Sequence, residues 1–255
     1  TWNTPGPQTV SVNYTNANTC TALAATVYNL TVNPLPVPTV SGSAAVCANS
    51  VGNIYTTEAG MTAYTWTISA GGTITAGAGT NAITVSWNTV GPQTISINYT
   101  NANLCTAPAS TVYNVTVNSL PIPTVAGPVT VCAGSTGNVY STEAGMTAYI
   151  WNISAGGTIT AGAGTNAITV TWNTAGAQTI SVNYTNVSLC TAATPVVYAV
   201  NVNSLPVPTI SGLTPAGVGT TQVYTTEAGM TAYVWTVSAG GTITAGGTVT
   251  SNTVT

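Results

Sequence analysis

Trp2, Trp87 and Trp172 stand 85 residues apart, as do Trp66 and Trp151. The stretch AYTWTISAGGTITAGAGTNAITVSWN at 63–88 returns as AYIWNISAGGTITAGAGTNAITVTWN at 148–173, and a partial third copy, AYVWTVSAGGTITAGG, begins at Ala232. A chain with this period is built from copies of one unit. A unit of about 85 residues is too long for one coil of a solenoid and ample for a sandwich that folds by itself. From Trp151 to Trp235 the spacing is 84, because TVAGPVTVCAGSTGNVY (124–140) aligns with TISGLTPAGVGTTQVY (209–224), one residue shorter and without the cysteine.

The joints are as regular as the units. NPLPVPT (33–39), NSLPIPT (118–124) and NSLPVPT (203–209) each place two prolines one residue apart. Such a segment has two fixed φ angles and two missing donors, so it cannot be a central strand and reads as a short, semi-stiff linker. The layout is then the back part of one unit (1–34), two complete units (35–119 and 120–204) and the front part of another (205–255). The opening TWNTPGPQTVSVNY carries no leader and reads as the middle of a domain, so the expectation is of a longer natural protein.

Within a unit the apolar residues alternate. Tyr64, Trp66 and Ile68 share one phase, as do Ile83, Val85 and Trp87, then Ile95, Ile97 and Tyr99, then Tyr113, Val115 and Val117. Period two with β-branched and aromatic residues predicts half-buried strands. Gly and Asn clusters punctuate them, giving about seven strands, at roughly 39–46, 53–58, 63–69, 72–76, 81–88, 93–100 and 111–118. No segment has helical periodicity. The two complete copies of the quoted stretch differ at Thr65/Ile150, Thr67/Asn152 and Ser86/Thr171, all out of phase with the apolar set. Variation on one face and constancy on the other is what packing demands of a strand.

Composition removes much chemistry. Three Glu are the only charged side chains, and there is no Lys, Arg, His or Asp. Without imidazole there is no common nitrogen ligand for a metal and no histidine base. Without cations there is no grip on phosphate, nucleic acid or anionic lipid, and no Lys–Asn isopeptide staple. No run approaches the ~18 apolar residues of a membrane helix.

The segments YTWTISAGGTI, ITVSWN and GPQTISINYTNANLC resemble the PKD-like, immunoglobulin-type domains strung along bacterial surface proteins and adhesins, particularly those of Bacteroidetes. The likeness rests on Tyr64 and Trp66, on Ile83, Val85 and Trp87, and on Gly91 and Cys105, and it covers the complete and the partial units. The Gly-Asp-Gly turn of the PKD pattern proper is missing from SAGGTI. The resemblance implies an all-β chain of tandem Ig-like, PKD-like β-sandwiches with stalk, spacer or adhesive roles outside the cell, and implies no reaction.

Five cysteines follow the period: Cys47 and Cys105 lie 58 apart in one unit, Cys132 and Cys190 lie 58 apart in the next, and Cys20 occupies the same late position as Cys105. The expectation is a bridge inside each unit, Cys47–Cys105 and Cys132–Cys190, with Cys20 left unpaired by truncation. The alternatives are reduced, buried thiols or a metal site, the latter without CxxC or His support. Disulfides place a protein outside the cytosol.

Other residues invite sharper readings. Glu58, Glu143 and Glu227 recur in TEAGMTAY. A calcium site would need six to eight oxygens and usually several carboxylates, so a solvated or backbone-bonded loop Glu is the favoured reading. One acid per complete unit also excludes a paired-carboxylate mechanism. An aromatic strip can bind sugar rings, but Trp66, Trp87, Trp151 and Trp172 are in phase with aliphatic neighbours, which assigns them to the core. Met61, Met146 and Met230 read as gap fillers. The sequons at Asn98 and Asn183 and the Thr alternation of an ice-binding face are explained by the abundance of Thr. AGGTITAGAGT lacks the Lys and helix of a phosphate loop.

These readings predict a non-enzymatic stalk or fibre segment of a large secreted or surface-displayed bacterial protein, with no catalytic, cofactor or metal residues. Its expected partners are other copies of the repeat or chain, with polysaccharide or surfaces as further candidates, and neither nucleic acid nor membrane. The alternatives are a carbohydrate- or surface-binding repeat, or an accessory array of a secreted hydrolase.

Overall fold

The computed structural model describes residues 1–255 and is all-β, without a helix. Strands β1 (Gly6–Val12) and β2 (Thr26–Val32) form an antiparallel pair. The first complete sandwich has seven strands: β3 (Ala45–Cys47), β4 (Ser50–Thr56), β5 (Thr62–Ile68), β6 (Gly72–Ala76), β7 (Ala82–Trp87), β8 (Gly91–Thr100) and β9 (Thr111–Asn118). The second repeats it with β10 (Thr130–Cys132), β11 (Asn138–Ser141), β12 (Thr147–Ile153), β13 (Gly157–Ala161), β14 (Ala167–Trp172), β15 (Gly176–Thr185) and β16 (Val196–Asn203). Residues 205–255 carry only the short pair β17 (Tyr224–Thr225) and β18 (Thr253–Val254).

In the first sandwich a four-stranded sheet of order β3-β9-β8-β5 faces a three-stranded sheet of order β4-β7-β6, and the second sandwich has the same two orders. This is an immunoglobulin-type arrangement in which the first strand has joined the sheet of the last. The alternation read from the sequence is the alternation of burial. Along β7 every second residue, Ile83, Val85 and Trp87, is buried, and along β8 so are Gln93, Ile95, Ile97 and Tyr99. The two inner faces meet in a core around Tyr55, Trp66, Trp87, Ile95, Ile97, Val115 and Val117. The out-of-phase Ile150 stays 59% exposed although it is apolar, because the pleat turns it outward.

The first strand differs from the expected 39–46. Its first part makes only a bridge, Ser41 to Thr56, on the three-stranded sheet, and after Gly42 the chain crosses to pair in parallel with β9, Ala45 opposite Thr116. The crossing occurs at Gly42 because the Tyr55 ring lies under it, and a Cβ there would sit 2.3 Å from a ring carbon. Gly127 and Tyr140 repeat this contact.

Polar groups inside the core are paired. The Trp87 indole donates to the Tyr55 hydroxyl at 3.1 Å, and that hydroxyl donates to the Ser43 carbonyl at 3.0 Å. The Trp66 indole donates to the Thr80 carbonyl at 2.9 Å. No buried side-chain nitrogen or oxygen is left without a partner.

Strand β9 gives each sandwich a leading end, where the linker arrives, and a trailing end, where the next linker leaves. Cys47 is level with Asn118 at the trailing end. Cys105 lies in the β8–β9 loop at the leading end, whose Asn101 side chain donates to Pro34 of the arriving linker at 3.4 Å. The levels of Thr111 and Asn118 are seven strand residues apart, roughly 23 Å, whereas a disulfide needs Cα atoms within about 7 Å. The expected Cys47–Cys105 and Cys132–Cys190 bridges therefore do not form. Cys47 is bonded to Cys190 of the following sandwich, with Cα atoms 5.6 Å apart, and Cys20, Cys105 and Cys132 are free.

Candidate functional site

The residues that recur with a defined geometry gather at the joints. At each joint the Thr that ends the proline segment meets the Glu of TEAGM. The Thr39 backbone N–H donates to Glu58 Oε2 at 3.1 Å, and its hydroxyl donates to Oε1. Thr57 and Tyr99 also donate to Oε2, at 2.7 and 3.0 Å. Glu143 repeats this with Thr124, Thr142 and Tyr184, and Glu227 keeps the two threonine partners, Thr209 and Thr226. Each carboxylate thus ties the end of a linker to the loop between the second and third strands, and in the complete sandwiches to the sixth strand as well. Sequence reasoning left these glutamates in a solvated or backbone-bonded loop. Their place at the joint, and the roles of Thr39 and Tyr99, were missed, although Thr39 and Glu58 keep their 19-residue spacing at Thr124 and Glu143.

Two opposing effects set the charge state of the clasp. Burial raises the Glu58 carboxyl, but hydrogen bonds from Thr39 and Thr57 outweigh it and hold the group at about 2. Glu143 is held at about 2 in the same way by Thr124 and Thr142. At Glu227 the side chains of Thr209 and Thr226 lower it to about 2, with desolvation the weakest influence. Burial, reinforced by the adjacent carboxylate, pushes the Tyr99 and Tyr184 hydroxyls up to about 12. In the complete sandwiches each clasp carboxylate accepts four hydrogen bonds from protein donors, which suits anchoring.

The late loop is built alike whether or not its cysteine is bonded. The Cys190 N–H donates to Asn186 Oδ1 at 3.0 Å, as Cys105 does to Asn101 and Cys20 to Asn16. Leu189, Leu104 and Thr19, each just before its cysteine, all have φ near +60°. Asn186 also donates to the Ser119 carbonyl of the linker at 3.3 Å, so the loop grips the linker that brings its own sandwich into line.

The sequence-named tryptophans lie elsewhere. Trp87 and Trp172 have no exposed surface, and Trp66 and Trp151 are 8% and 7% exposed, so none offers a ring face for stacking on a sugar. No group of three or more Cys, Asp or Glu side chains is placed to hold a metal ion. Two cavities, of about 750 and 720 Å³, lie in residues 205–255. Trp235, the counterpart of Trp66, lines both, and Tyr224, the counterpart of Tyr55, lines the first; in the first sandwich Tyr55 and Trp66 belong to the closed core.

Similar solved structures include the D00–D0 domain of intimin, at 12% identity over 65% of this chain and 99% of that one, with a TM-score of 0.35. The Escherichia coli adhesin FdeC is similar at 17% identity over 78% of this chain and 74% of that one, with a TM-score of 0.35. Domains 4 and 5 of the S-layer protein SbsC are similar at 14% identity over 66% of this chain and 98% of that one, with a TM-score of 0.29. A search of curated proteins finds no match. The model of the PKD-like domain matches residues 33–115 and again 119–202, more than half of the sequence, and the chain belongs to that family.

Proposed function

We propose that this chain is a non-enzymatic shaft segment of an extracellular bacterial surface protein, in which stacked sandwiches hold some other part of the molecule at a distance. The observation that carries this reading is the construction of the joint. The linker is clasped at Thr39 or Thr124, gripped at Pro34 or Ser119, and, between the complete sandwiches, bridged by Cys47–Cys190. A chain whose recurrent polar geometry is spent on alignment is suited to spacing rather than to chemistry. The disulfide supports an oxidising compartment. Burial of Trp66, Trp87, Trp151 and Trp172 counts against the carbohydrate-binding alternative.

Small-angle scattering of the oxidised chain tests the reading. A shaft gives an elongated particle whose maximum dimension is set by two sandwiches end to end and does not change with salt, since only three side chains are charged. Sandwiches folded side by side into a compact particle would overturn it, as would Trp fluorescence that responds to added polysaccharide.

A further inference from the structure

We propose that cysteine bonding in this protein is a rule between neighbours: the early cysteine of each repeat bonds to the late cysteine of the next, so that Cys132 and Cys105 are half-staples for further repeats stacked at the two ends. The inference goes beyond the shaft reading and holds equally for a binding array. It starts from Cys47–Cys190, which joins an early position to the late position of the following repeat. Cys132 is the early position one period on. It ends β10 opposite Asn203 as Cys47 ends β3 opposite Asn118, and Ala133 and Ala48 each donate at 2.8 Å to the asparagine carbonyl there. Cys105 occupies the loop geometry of the bonded Cys190, down to the 3.6 Å approach of its sulfur to the carbonyl two residues back. The three free cysteines are those whose period-related partners fall outside residues 1–255: beyond Cys190 for Cys132, and before Cys47 for Cys105 and Cys20.

The bonding step is thiol–disulfide exchange with an external oxidant of the disulfide class, a small-molecule or protein disulfide. The thiolate of one cysteine attacks the oxidant and releases one of its sulfurs as a thiol. The second cysteine's thiolate then displaces the other sulfur from the mixed disulfide. Two protein thiols lose two protons and two electrons, and the oxidant leaves as two thiols.

Inserting a second copy of residues 35–119 after Ser204 gives Cys132 a following repeat and joins VNS to LPVPT as the chain already does. Both chains are folded with oxidised glutathione, and non-reduced chymotryptic peptides are read by mass spectrometry. The original chain is expected to show Cys47–Cys190 and three alkylatable thiols. The lengthened chain is expected to keep three thiols and gain one new linked pair, Cys132 with the late cysteine of the inserted copy. That pair differs in mass from any pair containing Cys190, because the inserted late peptide is that of Cys105; Cys132→Ser removes it while leaving Cys47–Cys190, and Cys105→Ser in the resident repeat leaves both. A Cys47–Cys105 or Cys132–Cys190 pair in either chain overturns the proposal, as does Cys132 remaining alkylatable in the lengthened chain. The thiol count of the original chain, one rather than three under within-repeat bonding, decides independently of whether the insertion folds.

Discussion

At Glu58, burial and hydrogen bonding pull in opposite directions and hydrogen bonding wins, leaving the carboxyl at about 2 against an ordinary 4.5. A carboxyl lowered in the folded state stabilises it fully above its ordinary range, and that stabilisation is lost as pH falls towards the folded value. With no His, Lys or Arg, few other groups titrate near neutrality. The melting temperature is therefore expected to be nearly flat between about pH 5 and 7 and to fall below about pH 4.5. Glu58→Gln or Glu143→Gln should blunt that acid limb and cost its sandwich about 1 kcal/mol at neutral pH, discounted for solvent exposure, by denaturant unfolding. Tyr55 makes a sharper case. Removing its hydroxyl strands the buried indole N–H of Trp87, so Tyr55→Phe is expected to cost about 1–3 kcal/mol, and Tyr140→Phe the same through Trp172. The phase of Trp87 was readable in the sequence from Ile83 and Val85, whereas that of Tyr55 was not, because the aliphatic Ile54 beside it is the residue that faces outward. Nor was the bond between them, because it depends on β4 lying beside β7, with Tyr55 opposite Ile83.

Among the elements, β7 and β8 follow their alternation closely, and their expected limits, 81–88 and 93–100, differ from the observed ones by one or two residues. The first strand was misjudged for a physical reason. Its residues satisfy a strand pattern on either sheet, and only the Tyr55 ring beneath Gly42 decides where the chain crosses. The cysteine pairing failed for a related reason. Sequence separation counts residues, whereas a bridge requires two cysteines at the same end of a sandwich, and that depends on the parallel pairing of β3 with β9. Turns carry comparable constraints. Gly77 has φ +82°, and a Cβ there would lie 2.0 Å from the Ala82 carbonyl oxygen. Gly77→Ala is therefore expected to open the β6–β7 turn and lower stability by about 2 kcal/mol or more, while the same change at Gly79, where a Cβ meets nothing within 4 Å, should be nearly neutral. Thermal melts of the two variants provide the comparison.

For the whole molecule the decisive feature is that the single disulfide ties the two complete sandwiches together, spanning 143 residues and leaving of them only β16 and the residues before Cys47 outside the closed loop. In the chain-entropy view a loop of that length is worth about 5 kcal/mol, shared between two cooperative units. Cys47→Ser is expected to lower their combined unfolding free energy by about 2–5 kcal/mol and to broaden the scattering-derived distance distribution, because the joint is then held by its hydrogen bonds alone. Pulled from its ends, the oxidised chain transmits tension along the backbone to Cys47, across the sulfur bond to Cys190, and out again. The residues between are bypassed. Fully drawn out, those sulfur-bridged residues would add roughly 500 Å of contour length, and the covalent shortcut forbids that extension at any force below bond rupture. Single-molecule stretching of the oxidised chain should release only the segments outside the bridge, β16 among them, and the length held between Cys47 and Cys190 should appear only after a reductant is added. The tether would behave as a strap of fixed length that becomes elastic only in reducing surroundings.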